Sequence, residues 1–367
     1  MPHAGSCHVT CLQLAFAASC LLGACSSTHA QWQAIKLHAP IMRKSEAYAA
    51  SGPIIGGQSW IEKGRPTLWN TQTQQLTYLN PPPFIGGRVR AIQGNVQAGG
   101  VATETYGHAA MWSGSAETFV DMHPLSNPRS SEIVAMDGGV QVGDTRALVT
   151  QSYHHAAMWR GTPQSHIDLN PPGMVESYGT AAADGMQGGY FRQTELHGYH
   201  AALWRGSAES MIDLHPAGAR ESRLMGMASG QQVGSVSVIG EHAAMWSGSA
   251  ASWIDMNPPG AGVSMLNATC GSAQVGWANT GNPSAGIWFG TPDSFVSLHQ
   301  FLPPGEYYQS IATGVSHVNG VYYVSGYALS NLIGHSDEAF VWIGVPAPGP
   351  GALAALAALR AGRRRRG

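Results

Sequence analysis

Charged side chains are scarce in this 367-residue chain, at 11%. That excludes the densely charged classes, solvated coiled coils and acidic or basic disordered chains. The charge present is unevenly placed. Residues 1–30 hold no Asp, Glu, Lys or Arg, and five of the 19 basic groups fall in the last eight residues. Between them stand 14 basic and 21 acidic groups, a net of −7. A nucleic-acid surface needs the opposite sign, so the balance argues against DNA or RNA as a partner. Apolar runs are short, and none reaches the roughly 20 residues of a membrane-spanning helix. Cysteine is nearly missing from the body. Cys7, Cys11, Cys20 and Cys25 all precede Ser26 and leave Cys270 alone, which allows no internal disulfide and no cysteine-rich zinc site. No Gly-x-Ser-x-Gly elbow, P-loop or His-Glu-x-x-His helix occurs, and no cofactor motif is found. No stretch keeps a 3.6-residue apolar period long enough for a helical fold.

What is present is a repeat. His108-Ala-Ala-Met-Trp112, His155-Ala-Ala-Met-Trp159, His200-Ala-Ala-Leu-Trp204 and His242-Ala-Ala-Met-Trp246 are near copies, with weaker versions ending in Trp69, Trp288 and Trp342. These tryptophans recur with a period of roughly 45 residues, the last interval being the longest. Nine residues after six of the seven comes a second block, such as Asp168-Leu-Asn-Pro171 or Asp213-Leu-His-Pro216. Upstream of each tryptophan is a Gly-containing strand such as Val140-Gln-Val-Gly143, and before it a stretch such as Ser131-Glu-Ile-Val-Ala-Met136. Each unit therefore reads as four short strands parted by Gly, Ser and Pro turns. Four strands in about 42 residues, repeated radially, predict an all-β fold, a seven-bladed β-propeller of four-stranded blades.

The seventh unit lacks its fourth strand, because Val345-Pro-Ala-Pro-Gly-Pro-Gly351 cannot pair in a ladder. The missing strand is expected at the other end of the chain. Ile35-Lys-Leu-His-Ala-Pro40 resembles Ile212-Asp-Leu-His-Pro-Ala217, and Lys36 precedes Gly57 by the same interval that parts Asp213 from Gly234. An N-terminal strand should therefore complete the last blade and close the ring.

Three segments follow: a leader over residues 1–30, the propeller over 31–345 and a tail over 346–367. The leader has a short apolar stretch, Cys11 to Ala24, followed by small residues, as in a signal peptide. Two cleavage readings stay open. Thr28-His29-Ala30 before Gln31 suits ordinary cleavage, and Leu22-Gly-Ala-Cys25-Ser26 suits a lipobox that would make Cys25 a lipid anchor.

Across residues 32–345 the units resemble HAF-repeat proteins, bacterial extracellular proteins built of His-Ala-Phe-x-Trp-x-x-Gly units followed by Asp-Leu-Gly. Here Phe is mostly Ala, and Asp-Leu-Gly becomes Asp-Leu-Asn-Pro or Asp-Leu-His-Pro. The tail is similar to a PEP-CTERM sorting signal: Val345, Pro346 and Pro348, an Ala/Leu-rich run, then Arg363, Arg364 and two more arginines. These resemblances imply export by a bacterium, delivery by an exosortase-type machinery, and a place outside the cell or at its surface.

Sixteen histidines invite a metal reading, yet most recur at repeat slots: His108, His155, His200 and His242 at one, His38, His123, His215 and His299 at another. Slots a blade apart cannot share one ion, so buried histidines bridging strands are expected, and the repeated aspartates should cap the turns before proline. Catalytic carboxylates would come from outside the repeat, where Glu104, Asp144, Asp184, Glu195, Glu241 and Glu306 stand.

Loop lengths say more. Trp to Asp is fixed at nine, whereas the interval from the strand-two Gly to Trp varies. It is longer in the third, fourth and seventh units (Gly143 to Trp159, Gly188 to Trp204, Gly326 to Trp342) than in the other four, such as Gly234 to Trp246. The segment entering the seventh unit, Ser297 to Gly326, exceeds its counterparts, such as Asp213 to Gly234, by eight residues. All of this variation belongs to one face. The candidate binding face comprises Tyr153, His154, Tyr190, Phe191, Tyr199, Glu306, Tyr307 and Tyr308, with His197 beside them, since loops on a rigid scaffold carry recognition and exposed aromatics suit sugar faces or protein partners. The expectation is a monomeric, non-catalytic binding or structural module taking a polysaccharide or surface protein. The alternative is a propeller-fold polysaccharide hydrolase or lyase.

Overall fold

A computed structural model describes residues 31–126, 128–146, 153–331 and 336–345. Over these residues the chain forms seven four-stranded antiparallel sheets arranged as the blades of a β-propeller. Blade one is Lys44–Ser51, Ile54–Trp60, Gly64–Asn70 and Gln75–Tyr78. Blade four, typical of the middle of the ring, is Glu176–Ala183, Met186–Arg192, His200–Trp204 and Ile212–Asp213. The first strand of each blade is innermost, and the His-Ala-Ala-Met-Trp strand is third and buried along its apolar residues. The candidate leader cysteine Cys25 and the sorting-signal residues Pro346, Pro348, Arg363 and Arg364 lie outside the described residues.

Ring closure follows the sequence expectation: Ile35 and Lys36 pair as Ile212 and Asp213 do in blade four, and the strand extends further toward the N-terminus. The closing strand is Gln31–Lys36, paired antiparallel with Asp337–Val345 from Gln31 opposite Val345 to Lys36 opposite Phe340. Leu37 extends the ladder by donating its N–H to Ala339 O at 2.8 Å. Trp32 is 9% exposed, and its ring fills the space a Cβ on Gly344 would occupy. Blade seven then meets blade one through Ser45 Oγ, which accepts the N–H of Ala339 at 2.9 Å, and Thr313 Oγ1, which donates to Ala47 O at 2.7 Å.

The repeated tryptophan packs against the preceding blade. Trp204 meets Met158 and Leu169 of blade three, and Trp246 meets Leu203 and Leu214 of blade four. Leu169 and Leu214 are the apolar residues of the Asp-Leu-Asn/His-Pro block and are fully buried. The two conspicuous motifs thus build one interface between blades. The fixed nine-residue spacing has its own cause, a 3₁₀ turn such as Pro163–Ser165 or Ala208–Ser210 between third and fourth strands. Ser165 Oγ accepts the N–H of Arg160 at 2.7 Å and donates to Thr162 O at 2.6 Å, which fixes the turn's length.

Every first strand carries a β-bulge at one equivalent position, where the bulged residues are Tyr48, Arg90, Val134, Thr180, Met225, Asn267 and Thr313, and blade seven has a second bulge at Tyr308. The bulge pushes a first-strand carbonyl toward the second strand, where only glycine fits. A Cβ on Gly143 would sit 1.9 Å from Glu132 O, and one on Gly234 would sit 1.9 Å from Arg223 O. In blade four this role belongs to Gly189, whose Cβ would meet Tyr178 O at 1.8 Å. The interval to Trp204 therefore starts at Gly189, one residue later than the sequence suggested.

The long entry to blade seven is not one long loop. Four of its extra residues precede Ser310. The other four fall between Ser310 and Gly326, a stretch matched in blade three by Ser131 to Gly143. They lengthen a hairpin, Tyr307–Val318 with Val321–Ser330, that turns on the opposite face. Half of the excess therefore lies away from the variable loops.

Candidate functional site at the channel mouth

On the variable-loop face, blades three to five bring a polar and aromatic cluster together. Tyr178 opposes Tyr190 across the first two strands of blade four, with ring centroids 5.0 Å apart. Tyr199, from the lengthened loop, stands edge-on to Tyr190 at 5.0 Å, and His154 of blade three stacks on Tyr178 at 4.9 Å. Arg223 of blade five lies 5.1 Å from the Tyr199 ring centroid, as does Arg192.

Glu176 ties the cluster together. Tyr178 and Tyr199 donate their hydroxyls to it at 2.8 Å each, and Arg192 Nη2 pairs with it at 2.6 Å. Burial alone would push the Glu176 carboxyl up, but the two hydroxyls and Arg192 hold it below the usual carboxylate range. Burial also pushes the phenols up, and here the net shift follows it: Tyr190 rises to about 12, and Tyr178 and Tyr199 rise as well, helped by Glu176. These phenols stay protonated at neutral pH and can donate hydrogen bonds. None is tuned to act as a tyrosinate base. Next to them, His154 Nδ1 bonds Asp144, and Tyr153 donates its hydroxyl to Glu195. Between blades two and three, Arg88 grips Glu132 with two hydrogen bonds of 2.5 Å.

Of the sequence candidates, Tyr153, His154, Tyr190 and Tyr199 converge here. Phe191 does not. As Tyr190's neighbour on a strand it points to the other side, 6% exposed in the core beside Trp204 and Ala202. Tyr307 is a second correction. It is 6% exposed, packs edge-on to Phe340 at 5.2 Å and donates its hydroxyl to Glu338. Glu306 is exposed and Tyr308 is part-buried, both in blade seven and apart from the tyrosine cluster. Val345 ends a paired strand.

The residues missed by sequence reasoning are Glu176, Tyr178, Arg192 and Arg223. Tyr178 and Arg223 occupy the position just after the repeat's serine. The signal was there: that position reads Glu46, Arg88, Glu132, Tyr178, Arg223, Met265 and Ile311 down the seven units, so it is the slot that does not repeat.

The repeat histidines are structural, though less buried than expected. His155 Nδ1 donates to Asp168 at 2.8 Å, and the other oxygen of Asp168 accepts the N–H of Asn170 at 2.8 Å, capping the turn before proline. His108, His200 and His242 repeat the arrangement with Asp121, Asp213 and Asp255 at 2.8 to 3.0 Å. Their side chains are 24 to 34% exposed. Among the described residues no three His, Cys, Asp or Glu side chains gather as a metal site.

No family model matches the chain, and no curated protein does. Solved structures match in fold. Puromycin hydrolase is 10% identical with a TM-score of 0.55, covering 80% of this chain and 52% of that one. The β-propeller domain of the Trilobed protease from Pyrococcus furiosus is 9% identical with a TM-score of 0.50, covering 82% and 94%. A polysaccharide lyase is 11% identical with a TM-score of 0.47, covering 84% and 90%. The chain spans about half the length of puromycin hydrolase. The protease domain is described as having an open velcro topology, whereas here Gln31–Lys36 pairs across the closure. At these identities the likeness establishes one thing: the chain has the β-propeller fold.

Proposed function

We propose that this chain is an exported bacterial β-propeller that binds a glycan or a surface protein outside the cell and contacts it through the variable-loop face of blades three to five. The supporting observation is the convergence of Tyr178, Tyr190, Tyr199 and His154, with ring centroids 4.9 to 6.1 Å apart. They lie where the loops preceding the third strand are longest in the middle of the ring. Rigid aromatic faces beside hydrogen-bond donors are what sugar rings and protein hot spots use. The phenols, held protonated, suit binding better than proton abstraction. Export and surface delivery rest on the leader and on the HAF-like and PEP-CTERM-like resemblances, with an exosortase-type machinery as the processing partner.

The full chain, applied to an array of bacterial and plant polysaccharides and in parallel to a screen for cleavage products, tests this reading. Saturable binding without new chain ends is the expected outcome. New reducing or unsaturated ends would replace the module by a hydrolase or lyase.

A further inference from the structure

The seven innermost strands enclose a central cavity of about 490 Å³. Among the described residues lining it, one side chain is charged, Arg90. It is the bulged residue of blade two and projects beside Tyr48, its guanidinium 4.9 Å from the ring centroid. Its Nε is buried with no hydrogen-bond partner. The contrast with its neighbours is informative. Arg88, two residues earlier, is bound by both oxygens of Glu132. The polar bulge residues Thr180, Asn267 and Thr313 each donate to a carbonyl of the next blade, at 2.6, 2.8 and 2.7 Å. Arg90 makes neither kind of bond. The carboxylate nearest in sequence on the adjacent first strand, Glu46, is taken by Lys44 at 3.1 Å and by the Tyr48 hydroxyl. The other carboxylate facing it, Glu132, is held by Arg88.

A guanidinium with unspent donors in a walled cavity is a receptor for a planar anion, because it offers a carboxylate two parallel hydrogen bonds. The remaining wall selects the body of the ligand. Tyr48, Trp277, Tyr327 and Met225 provide flat and apolar surface, and a cavity of this size takes a small molecule. One fixed cation matches one negative charge. We infer that the central channel binds a small organic monocarboxylate, with its carboxylate on Arg90 and its body against Tyr48 and Trp277. This site is separate from the tyrosine cluster, and neither proposal needs the other.

Calorimetric titration of the full chain with benzoate and glucuronate, each against its uncharged counterpart (benzamide and glucose), tests the inference. At least one carboxylate should bind saturably at one site, tenfold or more tighter than its counterpart. Arg90→Gln should weaken that binding at least tenfold and Arg90→Lys by less, since lysine keeps the charge and loses the fork. Met225→Trp, which fills the cavity from blade five and leaves Arg90 in place, should abolish it, and Tyr190→Ala should not change it. Absence of saturable binding by either carboxylate would overturn the inference. So would equal binding of the uncharged counterpart, or full binding by Arg90→Gln. The wild-type comparison of charged and uncharged probes decides the matter even where a variant fails to fold.

Discussion

His215 and Asn257 occupy one repeat slot and make the same two bonds with different atoms. His215 Nε2–H donates to Ala219 O at 3.1 Å while Nδ1 meets Ser222 Oγ at 2.9 Å. Asn257 Nδ2 donates to Ala261 O at 2.8 Å while its oxygen accepts from Ser264 Oγ at 2.6 Å. Each serine in turn accepts an N–H from the preceding blade, Ala201 or Ala243. The slot needs one donor and one acceptor, which a neutral imidazole or an amide supplies. Where blade two has Gly87 in place of the serine, Asn80 still donates to Phe84 O at 2.7 Å, but its buried oxygen is left without a partner. The histidine version carries a pH cost. Burial lowers the pKa of His38, His215 and His299 from 6.5, so the unfolded chain takes up protons first. The stability these three contribute is complete above the unfolded value and is lost as pH falls through it toward the folded values. His155 works the other way, raised by its bond to Asp168, but burial lowers His166 as well, so it is one against four. The melting temperature should therefore drop between pH of about 7.5 and 5.5, and His215→Asn should flatten that drop while leaving stability at the higher pH nearly unchanged. A melting temperature that rises on acidification would contradict this.

The bulged first strand and the glycine opposite it act as one element. Without the bulge the strand would present the same side chains to the interblade core and none of the seven variable ones to the channel. Gly234→Ala should cost about 3 kcal/mol or more, read by denaturant unfolding, because its methyl would lie against backbone that cannot move alone. The closing strand is the second element of consequence. Trp32→Ala should cost about 3 kcal/mol, and deletion of residues 31–36 should destabilise the whole domain further. An unchanged melting curve for the truncated protein would show that the pairing does not hold the ring. The sequence made these strands legible through turn spacing and the missing seventh-unit strand. It did not reveal the bulge, whose only trace is the glycine. It also misplaced Tyr307, because the long entry to the seventh unit was read as a loop when a 3₁₀ turn, His299–Phe301, and the long first strand Tyr307–Val318 absorb it.

For the whole molecule, positions that repeat build the scaffold and positions that do not are left to face ligand. Trp204, Leu214, Gly189 and Ser222 have counterparts in most blades and lie in interfaces or strands. Tyr178 and Arg90 have none, Arg223 is matched only by Arg88 of blade two, and all three face the channel or its mouth. Four of the eight candidate face residues were found from loop length because the loops of blades three and four do carry the cluster. The first-strand members stayed hidden, since a polar residue inside a strand reads as an exposed edge until the ring is closed around it. The most direct test compares the two kinds of position on the partner found by the polysaccharide array. Tyr153→Ala and Tyr190→Ala should each weaken binding roughly tenfold or more, about 1.4 kcal/mol, with little loss of melting temperature. Trp204→Ala should lower stability by about 3–5 kcal/mol and leave the affinity of the folded fraction unchanged. Full binding by both tyrosine variants, with their melting temperatures intact, would contradict the account.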